Sequence, residues 1–352
     1  MRALRLLGPR RLEVTEVEPP NEPRPRELVL RNRLCGICGT DLHEYADGPR
    51  LVTAEPHSLT GAQLPQILGH EFSGEVVAVG RDVTAARVGD RVSVMPLFFC
   101  GTCPACVAGR QQICTRLGAV GYNWPWGGMG EYATVADHQV ARLPDSMTAA
   151  QGALVEPTAV AIHAVSSAPV RPGDAVLVTG GGPIGQLVAL SCIAAGAGAV
   201  YVSEPNETRR AHADRLGLTR VIDPSVSDVM TQLGDDVPDG VDVAIECAGN
   251  ARALEACIAA VRPGGTVVQT ALHPKPVQID PQRLTLRDVA IKGVVCFPVT
   301  SWPRVIQLIA SGRLPAERVI TGEVALGRAI EDGFEALLDP QGSHVKVLVA
   351  AG

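Results

Sequence analysis

The chain has 352 residues, and 46% of them are apolar, which is enough for two ordinary domain cores. Its formal net charge is −6 and it has no long basic run, which argues against nucleic acid or an anionic membrane surface as a partner. No apolar run approaches the roughly 20 residues of a membrane span, and the first residues read as a strand instead of a secretory signal. We therefore expect a cytoplasmic protein whose cysteines bind metal or serve as structural thiols.

The amino-terminal part predicts a β-rich domain. Apolar and polar residues alternate in short runs bounded by Gly or Pro, as expected of short strands. The clearest runs are residues 28–34, 72–79 and 90–95.

Four cysteines follow at the spacing C-x2-C-x2-C-x7-C. Turn-forming residues in the spacers, Gly101, Pro104 and Gly109, are typical of a thiolate cage that closes on one tetrahedral zinc. The alternative, core cysteines clustered by chance, fits these polar and turn-rich surroundings poorly. Four thiolates leave no open coordination position, so we expect a structural zinc. The four residues are Cys100, Cys103, Cys106 and Cys114.

From about residue 158, strand-like and helical segments alternate, which predicts a parallel sheet with right-handed crossovers. Two helices are expected near 184–195 and 206–216. An amphipathic helix and a final strand at 345–349 form a tail too short to fold alone, so we expect it to join the first domain. The predicted strands of the sheet are 175–179, 199–203, 220–223, 241–246, 265–270 and 289–295.

The loop Gly180-Gly-Gly182-Pro183-Ile184-Gly185 predicts a dinucleotide-binding turn. A bare G-x-G-x-x-G match is weak, but this one follows an apolar strand, opens a helical pattern and precedes an acid at the end of the next strand, Glu204. The glycines allow a tight turn and close approach of a pyrophosphate to the helix start, where Pro183 is well tolerated.

Glu204 predicts the choice of cofactor. Its carboxylate would accept both hydroxyls of the adenosine ribose and repel a 2′-phosphate, which favours NAD over NADP. The alternative is a solvated strand end. Arg209 and Arg210 follow closely, so NADP use stays open, and Arg209 could instead cover the adenine.

Three other segments contain residue types that ligate zinc. Three protein ligands and one open position are the arrangement of a catalytic zinc. Each residue also has a plainer explanation. The cysteines could be buried thiols or a redox pair, the histidine a core residue and the glutamate a carboxylate at a helix start. Spacing alone does not distinguish these explanations from a zinc site. The segments are Cys35-Gly-Ile-Cys38-Gly-Thr40-Asp41-Leu-His43, Gly69-His70-Glu71 and Leu154-Val-Glu156-Pro157.

Taken together, these motifs resemble those of the zinc-dependent medium-chain alcohol/polyol dehydrogenase superfamily over essentially the whole chain. The shared motifs are C-G-T-D-x-H at 38–43, G-H-E-x-x-G at 69–74, the four cysteines and the glycine-rich loop, in this order. Residues 56–61 and 202–205 are similar to those of the (R,R)-2,3-butanediol dehydrogenase group. Glu156, where classical alcohol dehydrogenases carry cysteine, also favours that side of the superfamily.

The resemblance implies an α/β fold with two domains. A β-rich, GroES-like catalytic domain would comprise residues 1–157 and 297–352, and a Rossmann domain with a doubly wound parallel sheet would comprise residues 158–296 and bind NAD. Homodimers or homotetramers are implied as well.

The resemblance also implies roles for single residues. Cys38, His70 and Glu156 would bind a catalytic zinc, and Glu71 would be a neighbouring or alternate ligand. Thr40 would contact the substrate oxygen and His43 would relay its proton. The four cysteines of residues 100–114 would hold the second zinc of each subunit.

The implied reaction is hydride exchange between NAD and a secondary alcohol, with a vicinal diol such as 2,3-butanediol, or its ketone acetoin, as the small-molecule substrate. A sorbitol-like polyol dehydrogenase is the alternative among enzymes, and a catalytically silent NAD-binding protein is the alternative outside them.

One segment departs from the butanediol dehydrogenase pattern. Tyr122-Asn-Trp124-Pro-Trp126 stands where that group has a less aromatic, glycine-rich loop. We expect either that the tryptophans pack against the four-cysteine segment or that at least one of them lines the substrate pocket.

Overall fold

The computed structural model describes residues 1–48, 50–52, 54–168 and 170–352. The chain forms two compact units. The first unit comprises Met1–Glu156, Pro298–Gly312 and Ile320–Gly352, and the second comprises Pro157–Phe297 and Arg313–Val319.

The strands alternate with short turns in the first unit and with helices in the second. In chain order they are β1 (Arg2–Gly8), β2 (Arg11–Glu16), β3 (Glu27–Gly36), β4 (Gln66–Ile67), β5 (Glu71–Val79), β6 (Arg91–Val94), β7 (Leu97–Phe98), β8 (Gly118–Ala119), β9 (Tyr132–Ala136), β10 (Val140–Arg142), β11 (Ala175–Thr179), β12 (Ala199–Ser203), β13 (Arg220–Ile222), β14 (Val241–Glu246), β15 (Val261–Gln269), β16 (Ala290–Gly293), β17 (Gly322–Ala325) and β18 (Val347–Ala350).

The helices are short, and within the described ranges none is long and apolar enough to cross a membrane. They are α1 (Gly39–Ala46), α2 (Pro104–Val107), α3 (Ala149–Ala153), α4 (Val155–Ser167), α5 (Pro183–Ala195), α6 (Glu207–Asp214), α7 (Val229–Leu233), α8 (Ala251–Ala260), α9 (Pro281–Thr285), α10 (Trp302–Ala310) and α11 (Ala336–Leu338).

The first unit is built on a seven-stranded sheet in which β3 pairs antiparallel with β5, β9 and β18. The predicted strands at 28–34 and 72–79 are confirmed within β3 and β5, and the one at 90–95 is confirmed as the slightly shorter β6. The sheet packs on a core of buried side chains that includes Leu30, Phe72 and Val76. Val349 of β18 pairs with Cys35, which confirms that the final strand joins this unit.

The second unit contains a six-stranded parallel sheet with the order β13-β12-β11-β14-β15-β16. The prediction of a parallel sheet is confirmed, and β11, β12 and β14 have the predicted bounds. The strand β15 starts at Val261, earlier than predicted: Val261 pairs with Val241 of β14, and after an irregularity the pairing resumes at Thr266. The order reverses between β11 and β14, and the carboxyl ends of strands at such a point form a ligand-binding crevice.

One short segment of the carboxyl-terminal tail, Arg313–Val319, clusters with the second unit. The Arg318 guanidinium donates to the carbonyl oxygens of Leu216, at 3.4 Å, and Arg215. Ala316 and Val319 of the same segment are buried. The tail of residues 297–352 is therefore divided between the two units, whereas the sequence led us to expect it in the first domain alone.

Candidate functional site

A group of residues that commonly bind metals, half-buried Cys38 with buried His70 and Glu71, lies where β3 ends and β5 begins. Gly36 and Glu71 are cross-strand partners, and this pairing brings the segment of Cys38 next to that of His70. The Cys38 sulfur, a ring nitrogen of His70 and a carboxylate oxygen of Glu71 all lie within 4.8 Å of one another. Sulfur, nitrogen and oxygen donors at this separation fit zinc.

Glu156, the third ligand implied by the resemblance, is buried in the first turn of α4. Burial raises its pKa to about 7, while His70 lowers that pKa and Glu71 raises it. Among the described residues, the 4.8 Å group contains Glu71 and not Glu156. Glu71 thus lies inside the ligand group, Glu156 interacts electrostatically with its members, and ligation by Glu156 stays a prediction.

The charges around this cluster suit a divalent cation. Burial raises the pKa of the Cys38 thiol, and the neighbouring Glu71, Asp41 and Glu156 raise that pKa further, against the opposing effect of Lys346. A thiolate at this position is therefore costly without a cation beside it. Because a metal ligand must be the thiolate, the donors present fit a bound zinc well.

Lys346 is a residue of the cluster that the sequence did not indicate. Its ammonium forms an ion pair with Glu71 and donates to the Ile37 carbonyl oxygen at 2.9 Å. Both side chains of the pair are 1% exposed. Burial lowers the pKa of Lys346, but Glu71 and Cys38 raise it by more, so the net shift is upward. The residue reaches the cluster only because β18 pairs with β3.

Asp41 connects two members of the ligand group. Its Oδ2 accepts a hydrogen bond from the Cys38 N–H at 2.9 Å, and its Oδ1 lies 3.8 Å from Nδ1 of His70. The Tyr122 ring packs on the His70 ring with the centroids 4.8 Å apart. Neither Asp41 nor Tyr122 was assigned a role from the sequence, although both lie in motifs noted there. The position of Asp41 in C-G-T-D-x-H was the available signal.

Thr40 and His43 lie on α1, which begins directly after Cys38. The Thr40 hydroxyl is 3.7 Å from the Cys38 sulfur, so it lies next to the ligand group. His43 is exposed three residues further on, and its Nδ1 lies 3.1 Å from Oδ2 of Asp47. The helical spacing puts Thr40 and His43 on one face of α1.

The four cysteines of residues 100–114 form the second group, with all four sulfurs within 4.8 Å of one another. Gly101 and Gly109 have φ angles of 73° and 74°, which confirms that both supply turns. The backbone N–H groups of Thr102 and Cys103 lower the pKa of Cys100 to about 5, whereas burial raises the pKa of Cys106 to about 12. A closed zinc cage fits this arrangement.

The glycine-rich loop joins β11 to α5. Gly180 has a φ of 96°, and a Cβ on Gly185 would overlap the Gly180 carbonyl oxygen, so both positions need glycine. Gly182 differs, since a Cβ there would meet nothing within 4 Å. It is the N-cap of α5 without a capping side chain, and half-buried Pro183 and Ile184 form the first turn. The open backbone at a helix start fits an anionic group such as a pyrophosphate.

Glu204 is buried at the end of β12, with 4% of its surface exposed, so the alternative of a solvated strand end does not hold. Its carboxylate accepts from the N–H groups of Gly181 at 2.6 Å and Asn206 at 2.8 Å. Arg210 is engaged by Asp223, at 2.8 Å, while Arg209 lies in the first turn of α6. A cavity of about 640 Å³ beside the loop is lined in part by Gly180, Ser203, Pro205, Ser225 and Asn250.

The tryptophans of the aromatic segment pack within the first unit. Trp124 donates from Nε1 to the Thr134 carbonyl oxygen at 2.7 Å, and its ring lies 4.8 Å from that of Phe98, in the strand before Cys100. Trp126 is partly buried against the same core. These contacts favour the packing alternative for Trp124, and a pocket-lining role for either tryptophan stays a prediction.

Two family models match the chain. Residues 24–145 match the alcohol dehydrogenase GroES-like domain, and residues 183–311 match the zinc-binding dehydrogenase domain. The (R,R)-butanediol dehydrogenase of Bacillus subtilis (strain 168) is 36% identical over 351 residues, with 99% of each chain covered.

Solved structures show the same similarity. The crystal structure of 2R,3R-butanediol dehydrogenase from Bacillus subtilis covers 100% of this chain and 99% of its own, with a TM-score of 0.93 and 35% identity. A second structure, of a zinc-binding dehydrogenase from Sinorhizobium meliloti 1021 bound to NADP, covers 99% of this chain and 98% of its own. Its TM-score is 0.89 and the identity is 34%. The expected α/β architecture with GroES-like and Rossmann domains is confirmed by these matches. The chain therefore belongs to the zinc-dependent medium-chain alcohol/polyol dehydrogenase superfamily, and it is a zinc-dependent, NAD(P)-linked oxidoreductase of alcohols.

Proposed function

We propose that the protein exchanges hydride between NAD and a vicinal diol of the 2,3-butanediol/acetoin type. The observation that supports the chemistry is the group of half-buried Cys38 and buried His70 and Glu71, with the Thr40 hydroxyl beside it. The full-length similarity to (R,R)-butanediol dehydrogenase supports the substrate class. The first unit would be the catalytic domain and the second the NAD-binding domain, in a homodimer or homotetramer.

Two zinc ions per chain belong to this proposal. Cys38, His70 and Glu156 would hold the catalytic zinc, with Glu71 as the alternate carboxylate ligand, and the four cysteines of residues 100–114 would hold the structural one. Zinc supplies a Lewis acid that lowers the pKa of an alcohol hydroxyl. The excess of buried acidic groups over the single ammonium of Lys346 supports a dication here.

The proton of the substrate hydroxyl would leave through residues of α1. Thr40 can hydrogen-bond the substrate oxygen next to Cys38, and exposed His43 can pass a proton to water. Because Nδ1 of His43 contacts Asp47, Nε2 would be the nitrogen that takes up the proton.

The cofactor would bind at the loop of Gly180–Gly185, with its pyrophosphate against the open backbone of Gly182. The buried carboxylate of Glu204 supports NAD, because a 2′-phosphate would meet a negative charge. NADP is the alternative, and it is favoured by the NADP-bound relative and by the positive charge of Arg209. If NAD binds instead, Arg209 would lie over the adenine.

A substrate panel tests the function. The purified protein is supplied with NAD or NADP and with each stereoisomer of 2,3-butanediol, with sorbitol and with 2-butanol, and reduced cofactor is followed at 340 nm. We expect the highest kcat/KM for NAD with one butanediol isomer. A higher value for sorbitol would establish the polyol alternative. If the zinc-loaded protein binds the cofactor but oxidises none of these alcohols, the proposal is contradicted.

A further inference from the structure

Three buried polar atoms around His70 have no hydrogen-bond partner within the described part of the chain. They are Oδ1 of Asp41, Nδ1 of His70 and the hydroxyl of Tyr122. The three are chemically complementary, since a carboxylate oxygen only accepts, whereas an imidazole N–H and a phenol O–H can donate. Buried polar groups are rarely left without partners, so this cluster calls for a role.

The three side chains lie next to one another. Nδ1 of His70 lies 3.8 Å from Oδ1 of Asp41, and the rings of His70 and Tyr122 are 4.8 Å apart at an interplanar angle of 42°. Oδ2 of Asp41 already accepts from the Cys38 N–H at 2.9 Å, so Oδ1 is the carboxylate oxygen that can accept from the two rings.

The main chain fixes Tyr122 relative to the histidine. Gly121 has a φ of 88°, and a Cβ on it would collide with the backbone of Gly69, which directly precedes His70. The Tyr122 N–H donates to the Ala119 carbonyl oxygen at 3.1 Å. Tyr122 is 4% exposed, so its ring has little freedom to move away.

We propose that Tyr122 is a positioning residue of the metal site: its hydroxyl donates to Asp41, and Asp41 in turn holds the His70 imidazole through Nδ1. The other ring nitrogen of His70 is then directed at the metal. Asp41 already holds the Cys38 N–H, so one carboxylate would orient two ligands. Partners of metal-binding histidines act in this way, and their loss costs about 10–100-fold in metal affinity. This inference rests on the proposed zinc ligation by Cys38 and His70.

Zinc release tests the inference without any use of activity. Zinc-loaded full-length protein is mixed with excess chelator, and the released metal is followed colorimetrically. His70→Ala identifies the release phase of this site, because that phase should be missing. We expect Tyr122→Phe to accelerate this phase about 10-fold and to leave the phase of Cys100–Cys114 unchanged. Tyr132→Phe, which removes a hydroxyl from the neighbouring strand β9, should match the wild type.

A double variant separates positioning from general packing. In an Asp41→Asn background, Tyr122→Phe should add little further acceleration, because the acceptor of its hydroxyl is already altered. If Tyr122→Phe accelerates zinc release as strongly in the Asp41→Asn background as in the wild type, the inference is wrong. This holds even if Tyr122→Phe also makes the protein less stable. If His70→Ala lacks the zinc-release phase of this site but Tyr122→Phe releases zinc at the wild-type rate, only the inference about Tyr122 is wrong. If His70→Ala keeps both phases, the proposed zinc site itself is wrong.

Discussion

Lys346 and Glu71 form a buried ion pair that joins the last strand of the chain to the first residue after His70. The two residues are 275 positions apart in the sequence. Because both side chains are 1% exposed, neither charge has water as an alternative partner. The pair therefore couples the carboxyl-terminal strand to the candidate metal site of Cys38, His70 and Glu71.

Replacement of Lys346 by methionine should leave the Glu71 carboxylate buried beside other acidic groups. We expect Lys346→Met to destabilise the first unit by about 3 kcal/mol, measured by urea denaturation. Lys346→Met combined with Glu71→Gln should recover part of the loss, and Lys275→Met, on the surface, should cost almost nothing. If Lys346→Met is as stable as the wild type, the ion pair contributes little to the stability of the fold.

Two glycines of the dinucleotide loop should respond in opposite ways to alanine. Gly182 has a φ of −70° and open space around its Cβ position, so Gly182→Ala should fold normally. Its methyl group would occupy the space expected for the pyrophosphate, and we expect NADH affinity, measured by fluorescence titration, to fall at least about 10-fold. The matched variant Gly185→Ala should lose stability instead. Unchanged NADH binding by Gly182→Ala would place the cofactor elsewhere.

The four-cysteine group should support the fold and not the chemistry. We expect Cys103→Ser to lose one zinc per chain and to lower the yield of folded protein, because three thiolates no longer close the cage. Metal analysis and gel filtration measure both effects. Cys192→Ala, which removes a buried thiol from α5, should retain all of its zinc. A Cys103→Ser protein that folds and assembles normally without this zinc would refute the structural role.

Asp137 gives the first unit a component of stability that depends on pH. Burial raises its pKa, but the N–H groups of Ala85 and Thr84 and the Arg26 guanidinium lower it by more, so the folded pKa lies below the unfolded value of about 3.9. The ionised group therefore stabilises the fold above about pH 4, and this contribution is lost as the pH falls through the folded pKa.

Asp137→Asn should accordingly cost about 2 kcal/mol at pH 7, and the difference from wild type should shrink towards pH 3, measured by urea denaturation at each pH. Asp145→Asn, at a fully exposed position, provides the control. A difference that grows on acidification would mean that the sign of the shift is wrong.

Much of the fold could be predicted from local sequence patterns. The parallel strands β11, β12 and β14 are short runs dominated by apolar residues, so the sequence predicted their bounds as the structure has them. The beginning of β15 was missed because Pro263 and Gly264 read as a turn, although Val261 before them already pairs with Val241 of β14. The segment Arg313–Val319 was misplaced since its partners in the second unit lie about a hundred residues away.

The candidate site was predictable to the extent that its residues lie in spaced motifs. Cys38, His70 and the four cysteines were identified in this way, and the structure brings each set together. Lys346 has no local motif, because only the pairing of β18 with β3 brings it to Glu71. Tyr122 was noted only as part of an aromatic segment, and its contact with His70 depends on the close approach of Gly121 to Gly69.

The rate of NADH formation from 2,3-butanediol by the wild type and by Cys38→Ser tests the central proposal most directly. Cys38 is a member of the ligand group that lies outside the four-cysteine segment. Loss of a catalytic zinc ligand should lower kcat/KM at least about 1000-fold, while the zinc of Cys100–Cys114 and NADH binding are retained. A folded Cys38→Ser protein that oxidises the diol at the wild-type rate would contradict the proposed zinc site.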